Sequence, residues 1–375
     1  MDTDFLEPYY EANSLTKVLS SALATLGVAD YHNDLSLPEA RHVVVFLVDG
    51  LGAKQLKSLK GHARFIHSQE LYTIRAVTPS TTACSLSSLG TGKTPGEHGL
   101  VGYDVLDPAQ NKVVNMLSTW DKNVDVATWQ PYPSLLAVAK ANGIESYSVG
   151  NKKFANTELT TAILSGSEYL PAQNMAQVTE QVISSTQSSG ATLTYAYWNK
   201  LDHIGHGKGW SSNKYAEAIE ELDAAISTIA KQLTKNSLLV LTADHGMVDA
   251  TPNHQLILND YPEVMDYVTD TAGEPRFTYL YCAESDTQKL YKKCVTNFVE
   301  VALVLTRDEA IEKGYFGKMR PEVITRIGNI ILAAKADYTF FDTERVGLGP
   351  LSMVGHHGSL TAAEQEIPLL IVKGV

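Results

Sequence analysis

Carboxylate and imidazole side chains recur beside glycine at four places in the sequence, three of them directly after an apolar run. The motifs are VDG at 48–50, LDHIGHGKG at 201–209, TADHG at 242–246 and VGHHGS at 354–359. Glycine lets the backbone approach closely, so each motif can bring its donor atoms to a shared centre. Oxygen and imidazole donors without thiolate suit Zn²⁺ or Mn²⁺.

These motifs supply three carboxylates and up to four imidazoles. The candidates are Asp49, Asp202, His206, Asp244, His245, His356 and His357. That number exceeds the needs of one open tetrahedral site and suits two divalent ions about 4 Å apart. Two such ions carry four positive charges, and three aspartates cancel only three of them. The remaining positive potential favours an anionic oxygen substrate such as a phosphoryl group.

Each motif also has an ordinary structural explanation. Asp-Gly after a strand is most often a turn, and a histidine can be a satisfied core residue. The Asp202–His206 spacing fits a helical i,i+4 pair, although its glycine-rich surroundings disfavour a helix. The joint occurrence of all four motifs in one chain favours a metal site.

A hydroxyl-rich segment, TPSTTACSLSSLGTG at 78–92, predicts a turn followed by the start of a helix. Free backbone N–H groups at a helix start bind phosphate oxygens, and a metal can activate a nearby hydroxyl as a nucleophile. Spacing alone leaves Ser80, Thr81, Thr82 and Ser85 as candidates. Thr81 or Thr82 could instead serve only as a helix N-cap.

The elements that must position these groups are buried strands alternating with helices. We predict strands at 42–50, 71–77, 145–150, 192–198, 237–246, 276–281, 302–306, 329–334 and 368–372, and an amphipathic helix at 213–235. This alternation predicts an α/β fold with a mainly parallel sheet covered on both faces. Ligands bind at the carboxyl ends of the strands in such sheets, where the VDG, LDHIGH and TADHG motifs fall.

Composition narrows the class of protein. The net charge of −12 over 375 residues, without a long basic run, argues against a long nucleic-acid partner. We expect no transmembrane segment, and residues 1–15 lack the features of a secretory signal. The sparse cysteines Cys84, Cys282 and Cys294 favour a reducing compartment, so we predict a cytoplasmic protein.

Five motifs, taken together and in order, resemble the alkaline phosphatase superfamily, and most closely its nucleotide pyrophosphatase/phosphodiesterase branch. They are VDG at 48–50, TGKTPGEHG at 91–99, DHIGHGKG at 202–209, ADHG at 243–246 and GHHG at 355–358. The resemblance implies one three-layer α/β/α catalytic domain over residues 1–375. The segment at about 250–345 is less regular in sequence, and we expect it to form a smaller lid or subdomain. The resemblance also implies hydrolysis of phosphodiester or phosphoanhydride bonds through a phosphothreonine intermediate.

Carried over residue by residue, the resemblance assigns the nucleophile to Thr82, ten residues before Gly92. It assigns one metal to Asp49, Thr82, Asp244 and His245, and the other to Asp202, His206 and His357. The two ions are expected to be Zn²⁺, with Mn²⁺ as the alternative. His203 and His356 are less expected as ligands, and His98 is expected to be structural.

The expected substrate pocket departs from the family pattern. An aromatic residue usually follows the nucleophile, where this chain has Ala83, and the usual asparagines are replaced by Ser85 and Tyr103. Tyr197 does match an aromatic position that contacts nucleotide in the family. We therefore expect Tyr103 and Tyr197 to bind a small phosphorylated substrate, with nucleotides among the candidates.

Other functions share the same predicted site. A phosphomonoesterase, a phosphonate hydrolase or a mutase-like relative would use the same metals on another substrate. A catalytically silent metal-binding protein would also retain the fold, although it would not need a reactive threonine. The sequence leaves the leaving group and the oligomeric state open.

Overall fold

The computed structural model describes residues 5–117, 120 and 124–374. Seven of the described strands form the main sheet, in the order β2-β17-β8-β1-β7-β5-β6. Their bounds are β1 His42–Val48, β2 Glu70–Arg75, β5 Glu145–Gly150, β6 Glu168–Pro171, β7 Thr192–Trp198, β8 Ser237–Ala243 and β17 Glu366–Lys373. The strands β8, β1, β7, β5 and β6 are mutually parallel, and β17 runs antiparallel to both β8 and β2.

The centre of this sheet is buried on both faces. Every residue of β1 and β8 is buried, as expected for the apolar, β-branched runs typical of covered parallel strands. The register pairs Val48 of β1 with Trp198 of β7 and with Ala243 of β8. The residues that follow these three strands therefore emerge side by side at one edge of the sheet.

Helices cover the main sheet on both faces, as the right-handed crossovers between parallel strands require. On one face, α1, α3, α6 and α7 contact one another, and on the other face α8 packs against α10. The helices up to α10 are α1 Val18–Thr25, α2 Ala53–Ser58, α3 Thr82–Thr91, α4 Pro95–His98, α5 Val126–Trp129, α6 Leu135–Ala141, α7 Glu158–Leu164, α8 Met175–Ser185, α9 Lys200–Lys208 and α10 Asn213–Gln232. The predicted α/β fold with a mainly parallel sheet is confirmed.

A second, antiparallel sheet lies within the segment for which we predicted a lid. Its order is β11-β12-β14-β13, with bounds β11 Asp270–Glu274, β12 Phe277–Tyr281, β13 Ala302–Thr306 and β14 Ile330–Ala334. Its outer face has a separate hydrophobic core with Leu290, Cys294 and Phe298 of the helix α12 at Thr287–Phe298. The segment is therefore more regular than its sequence suggested, and its role as a lid stays a prediction.

Three small pairs of strands lie outside the two larger sheets. They are β3 Asp104–Asp107 with β4 Lys112–Asn115, β9 Val248–Asp249 with β16 Gly355–His356, and β10 Gln255–Ile257 with β15 Thr339–Phe341. The remaining short helices are α11 Pro262–Met265, α13 Arg307–Glu312, α14 Thr343–Val346 and α15 Ala362–Gln365. The β9–β16 pair matters most, since it joins the TADHG and GHHG motifs.

The predicted strands and the long helix all occur, with ends shifted by a few residues at most. The edge strand β6 and the β3–β4 hairpin were not predicted, because they are short and lack a continuous apolar run. No described helix combines the length and apolarity that a bilayer crossing needs. All three cysteines are free.

A fully buried ion pair joins the second sheet to the main one. Arg276, beside β12, donates through Nε to Glu364 Oε1 at 2.7 Å and through Nη2 to Oε2 at 2.8 Å. Glu364 also accepts a hydrogen bond from the Ser359 backbone at 2.9 Å and one from the Thr361 hydroxyl. This network fixes the chain that follows the GHHG motif.

We expect R276M to lower the free energy of unfolding by about 3–5 kcal/mol, because it leaves the Glu364 carboxylate buried without its cation. The shift in the midpoint of urea unfolding measures this loss. The exposed Lys214–Glu217 pair provides the control, and K214M should change stability by less than about 0.5 kcal/mol. Equal shifts in the two variants would contradict a structural role for the buried pair.

Candidate metal centre and nucleophile

Three aspartates meet at the edge where β8, β1 and β7 end. Asp49 directly follows β1, and its backbone N–H donates to Trp198 O at 3.0 Å. Asp244 directly follows β8, where its Oδ1 accepts from the backbone N–H groups of Gly50 and His245, each at 3.0 Å. These bonds orient the Asp244 carboxylate and leave its second oxygen, Oδ2, facing His245 Nε2.

One oxygen of each aspartate is buried and makes no hydrogen bond to any described residue. The three atoms are Asp49 Oδ1, Asp202 Oδ1 and Asp244 Oδ2. Burying a carboxylate oxygen without a partner costs free energy unless a cation compensates it. Their convergence is what a metal site requires of its oxygen donors.

Three histidines complete the cluster, and the backbone holds each of them at Nδ1. His206 Nδ1 lies 2.7 Å from Gly355 O, His245 Nδ1 lies 3.1 Å from Gly246 O, and His357 Nδ1 lies 3.0 Å from Ser80 O. With the Nδ1 proton donated to a carbonyl, Nε2 keeps its lone pair for a ligand. This is the usual outer-shell arrangement of metal-binding histidines.

The Nε2 atoms of these histidines face the carboxylates. His206 Nε2 lies 3.2 Å and His357 Nε2 lies 3.8 Å from Asp202 Oδ1. His245 Nε2 lies 3.5 Å from Asp49 Oδ1 and 3.4 Å from Asp244 Oδ2. The donors form two overlapping groups, one of Asp202, His206 and His357 and one of Asp49, Asp202 and His245. Asp202 belongs to both groups, whereas the sequence assigned it to one ion only.

Burial and the charges of neighbouring groups shift the pKa values of the residues in this cluster. Burial, together with the charges of Asp244 and Asp202, raises the pKa of Asp49 well above its usual range. Burial also opposes ionisation of Asp202, but the neighbouring histidines, His206 foremost, hold the pKa of Asp202 below its usual range. Burial lowers the pKa of His357, so its imidazole is neutral and can act as a ligand.

Thr82 is the first residue of α3 and lies at this centre. Its Oγ1 is 3.2 Å from His245 Nε2, and the residue is buried. Two of the alternative hydroxyls have other partners, since Ser80 Oγ donates to Ser359 O at 2.9 Å and Ser85 Oγ donates to Asp244 O at 2.8 Å. Thr81 is the N-cap residue of α3, but its side chain makes no capping bond. The geometry favours Thr82 among the four candidates.

Asp202 and His206 lie one turn apart on the helix α9, so the sequence interpretation that disfavoured a helix here was wrong. Gly205 serves packing, since a Cβ there would stand 2.3 Å from Met247 Sδ and its absence lets α9 approach that side chain closely. Gly209 ends the helix with a φ of 84°. The helix places the carboxylate and the imidazole on one side.

The other candidate histidines lie outside the cluster. His203 is exposed on α9. His356 is buried and turned away, with Nε2 3.3 Å from Met353 O, and burial lowers its pKa to about 3. His98 is buried between Ser88 Oγ at 2.9 Å and the Leu100 backbone N–H at 3.1 Å, consistent with the structural role expected of it.

A cavity of about 450 Å³ opens beside the cluster, and we call it the first lobe. Asp49, Thr82, Tyr103 and Tyr197 line it. The Tyr197 hydroxyl donates to Asp49 Oδ2, and its ring meets the edge of Phe154 at a centroid distance of 5.8 Å. Both tyrosines chosen from the sequence therefore face the space beside Thr82.

Sequence reasoning missed three groups that line the cavities. Lys153 and Phe154 follow β5 and line the first lobe, with Lys153 Nζ 4.8 Å from the Phe154 ring centroid. Both residues follow a parallel strand, and this position could have indicated a place near the ligand site. The sequence alone did not show whether the lysine side chain reaches that site. Glu274, at the end of β11, lines a neighbouring cavity and carried no motif.

Fold and donor set together define a member of the alkaline phosphatase superfamily. The sequence model of the type I phosphodiesterase / nucleotide pyrophosphatase family matches residues 43–360, and the chain belongs to this family.

Individual relatives are distant. The mouse ectonucleotide pyrophosphatase/phosphodiesterase family member 3 is 24% identical over 243 residues, which cover 60% of this chain and 27% of the mouse protein. The human family member 5 is 22% identical over 185 residues, covering 46% of this chain and 37% of that protein. The chain thus matches only 27% and 37% of the length of these two relatives.

Two solved structures share the fold. Murine ectonucleotide pyrophosphatase/phosphodiesterase 5 superposes with a TM-score of 0.69 at 19% identity over 87% of each chain. An inactive threonine-to-alanine variant of that murine protein has been solved in complex with AMP. Phosphonoacetate hydrolase from Sinorhizobium meliloti, solved with phosphonoformate, gives a TM-score of 0.69 at 17% identity, covering 90% of this chain and 92% of the hydrolase.

Burial raises the pKa of Glu274 to about 8, and the nearby Thr81 hydroxyl offsets part of the shift. Between the ordinary value of 4.5 and about 8, the folded protein keeps a proton that the unfolded chain releases, so this group lowers stability as pH rises. We expect E274Q to match wild type at pH 5 and to exceed it by about 2–4 kcal/mol at pH 9.

Urea unfolding of metal-free protein at both pH values measures this difference. Glu263 lies on the exposed surface and supplies the control, since E263Q should follow wild type at pH 5 and pH 9. An E274Q variant that gained no stability at pH 9 would contradict the burial of an ionisable acid at this position.

Proposed function

We propose that this chain hydrolyses a phosphodiester or phosphoanhydride, with Thr82 as the nucleophile and a phosphothreonine intermediate. One observation carries the proposal. Three unpartnered carboxylate oxygens, three imidazole Nε2 atoms and the Thr82 hydroxyl converge in one buried centre beside an open cavity. Membership of the type I phosphodiesterase / nucleotide pyrophosphatase family supports this choice of reaction.

The donor set fits two divalent cations, and Zn²⁺ suits it best, with Mn²⁺ as the alternative. Asp202, His206 and His357 would hold one ion, and Asp49, Thr82, Asp244 and His245 would hold the other. When bound, such cations supply positive charge that lowers the pKa of a hydroxyl and neutralises phosphoryl oxygens. The family is metal-dependent, in agreement with this assignment.

The residues of the chain itself divide the remaining work. Thr82 Oγ1 forms a bond to phosphorus as the bond to the leaving oxygen breaks, and water later cleaves the phosphothreonine and restores the hydroxyl. The first backbone N–H groups of α3 lack helical partners, so they can donate to the phosphoryl oxygens. Tyr197 orients the Asp49 carboxylate through its hydrogen bond to Oδ2.

The first lobe is suited to the part of the substrate that stays on phosphorus. Its aromatic wall of Tyr197 and Phe154 can pack on a planar group, and the exposed Lys153 adds one positive charge at the rim. A nucleoside monophosphoryl group meets these requirements, and a structural neighbour has been solved with AMP. The cytoplasmic location stays a prediction.

Phosphonate hydrolysis is the second candidate. It is favoured by the structural likeness to phosphonoacetate hydrolase, which equals the likeness to the murine phosphodiesterase in TM-score. Comparing kcat/KM on bis(4-nitrophenyl) phosphate, 4-nitrophenyl phosphate and phosphonoacetate separates diesterase, monoesterase and phosphonate hydrolase.

We expect T82A to lower kcat on bis(4-nitrophenyl) phosphate by at least about a thousandfold, because it removes the attacking oxygen. Steady-state release of 4-nitrophenol measures the loss. S87A is the matched control, because Ser87 is buried in the same helix and donates only to Ala83 O at 2.7 Å. Wild-type turnover by a folded T82A protein would remove Thr82 from the mechanism.

We expect the wild-type chain to bind two divalent ions and D202N to bind fewer than one, since Asp202 faces both donor groups. Equilibrium dialysis against Zn²⁺ or Mn²⁺, followed by mass-spectrometric metal analysis, gives the stoichiometry. H203A alters the next residue of the same helix, which is exposed, and should still bind two ions. Two ions retained by D202N would show that Asp202 is not a shared ligand.

A further inference from the structure

A second cavity of about 360 Å³ adjoins the first lobe at the metal centre, and we call it the second lobe. Asp202, His206 and His357 border both lobes, as do Thr81, Tyr103 and Leu117. Asp49 and Thr82 border the first lobe and are absent from the lining of the second. The nucleophile therefore opens onto the first lobe, whereas the Asp202 group of donors opens onto both.

This arrangement gives the two lobes different roles in the proposed reaction. In phosphoryl transfer the attacking and leaving oxygens are roughly in line, on opposite sides of phosphorus. With Thr82 attacking from the side of the first lobe, the leaving oxygen points toward Asp202, His206 and His357. The group attached to that oxygen then extends into the second lobe.

The second lobe is largely apolar and carries no free positive charge among the residues that line it. Phe340, Phe341, Pro275 and Met353 form much of its wall. Its one arginine, Arg345, is engaged, with Nη1 2.8 Å from Asp104 Oδ2 and Nε 2.9 Å from Thr271 Oγ1.

The acidic groups of this lobe outnumber its arginine even without the metal donors. Asp104 and Asp342 face one Arg345, which Asp104 already pairs, and Glu274 adds no cation, so a pyrophosphate or phosphate leaving group would find no cation of the lobe to pair with. The first lobe differs, since Lys153 lines it.

Apart from the metal donor Asp202, Glu274 is the acid of this lobe whose carboxyl oxygens make no hydrogen bond of good geometry to a described residue, although the Thr81 hydroxyl lies nearby. Glu274 is 7% exposed, and neither of its carboxyl oxygens makes such a hydrogen bond within the described part of the chain. The Glu274 side chain packs closely against the backbone of Gly358. A Cβ added at Gly358 would stand only 2.5 Å from Glu274 Cγ. A buried, unpartnered carboxyl group that lines a cavity requires an explanation, and a ligand supplies one.

We propose that the second lobe is the leaving-group site and that it accepts an alcohol that has an apolar body, a hydrogen-bond donor and no negative charge. Glu274 accepts the hydrogen bond from that donor, which is a hydroxyl or an ammonium group. The inference rests on the proposed function and narrows it to diesters of organic alcohols, in place of nucleoside triphosphates.

Aryl monoesters of phenylphosphonic acid test the proposal, because the phenyl group on the P–C bond cannot leave. Three leaving phenols of similar size are compared: 4-methylphenol, 4-(aminomethyl)phenol and 4-(carboxymethyl)phenol. For each ester, the ratio of kcat/KM between wild type and E274L cancels the intrinsic reactivity of the ester. E274L removes both carboxyl oxygens, neither of which makes a hydrogen bond of good geometry to a described residue.

We expect E274L to lower kcat/KM about tenfold on the aminomethyl ester, corresponding to one lost hydrogen bond. The methyl ester should change by less than about twofold, and the carboxymethyl ester should be the poorest wild-type substrate and improve in E274L. E263L, an exposed Glu-to-Leu change outside the cavity, should match wild type on all three esters. Circular dichroism and metal content establish that E274L is folded and loaded.

Two results would overturn the inference. One is an equal effect of E274L on all three esters, which would give Glu274 a purely structural role. The other is a wild-type preference for the carboxymethyl ester. Activity on bis(4-nitrophenyl) phosphate distinguishes failure of this inference from failure of the proposed function. If the enzyme cleaves that diester and gives either of the two results above, only the leaving-group assignment is overturned. If it cleaves none of the esters, the proposed function and the leaving-group assignment are both overturned.

Discussion

Three aspartates, each with one buried and unpartnered carboxylate oxygen, impose the constraint on which the rest of this structure depends. The backbone of Gly50 and His245 and the Tyr197 hydroxyl satisfy the other oxygens of Asp244 and Asp49 and aim the free ones at one point. Burial disfavours their charge and like charges in that position repel, and both effects raise the pKa of Asp49. The metal-free chain therefore carries an electrostatic cost that bound cations would convert into stability.

The fold maintains this costly arrangement by tying distant segments together. Strand register fixes Asp49 and Asp244 on neighbouring strands, and the β9–β16 pair brings the GHHG motif to the same edge. Glu364 then connects several loops at once, since its carboxylate binds Arg276 and Ser359 and its carbonyl accepts from Gly246 N–H at 2.9 Å. Rigid support of this kind holds donor atoms near one centre before a ligand arrives.

The sequence predicted the part of the site that follows from local rules. Apolar runs ending in Asp or His identified Asp49, Asp244 and His245, because parallel strands end at one edge. It chose Asp202 and His206 as ligands but was wrong to disfavour a helix there, because glycines, Gly205 among them, resembled a loop. It could not find Glu274, because that residue becomes part of a cavity only when β11, in the antiparallel sheet, packs beside the loop of Gly358. Such contacts depend on tertiary packing, for which one sequence carries no pattern.

In the proposed reaction, a centre with general chemistry is combined with two lobes of different selectivity. The donors and Thr82 would act on the phosphoryl group, which is common to many substrates. Discrimination would come from the first lobe, with Lys153, Phe154 after β5 and Tyr197 in β7, and from the second lobe, with Glu274 and apolar walls. Because these walls come from separate segments of the chain, the preferred leaving group could change without disturbing the ligands of the centre. Selectivity for the leaving alcohol would then depend on the same antiparallel sheet that the Arg276–Glu364 pair anchors.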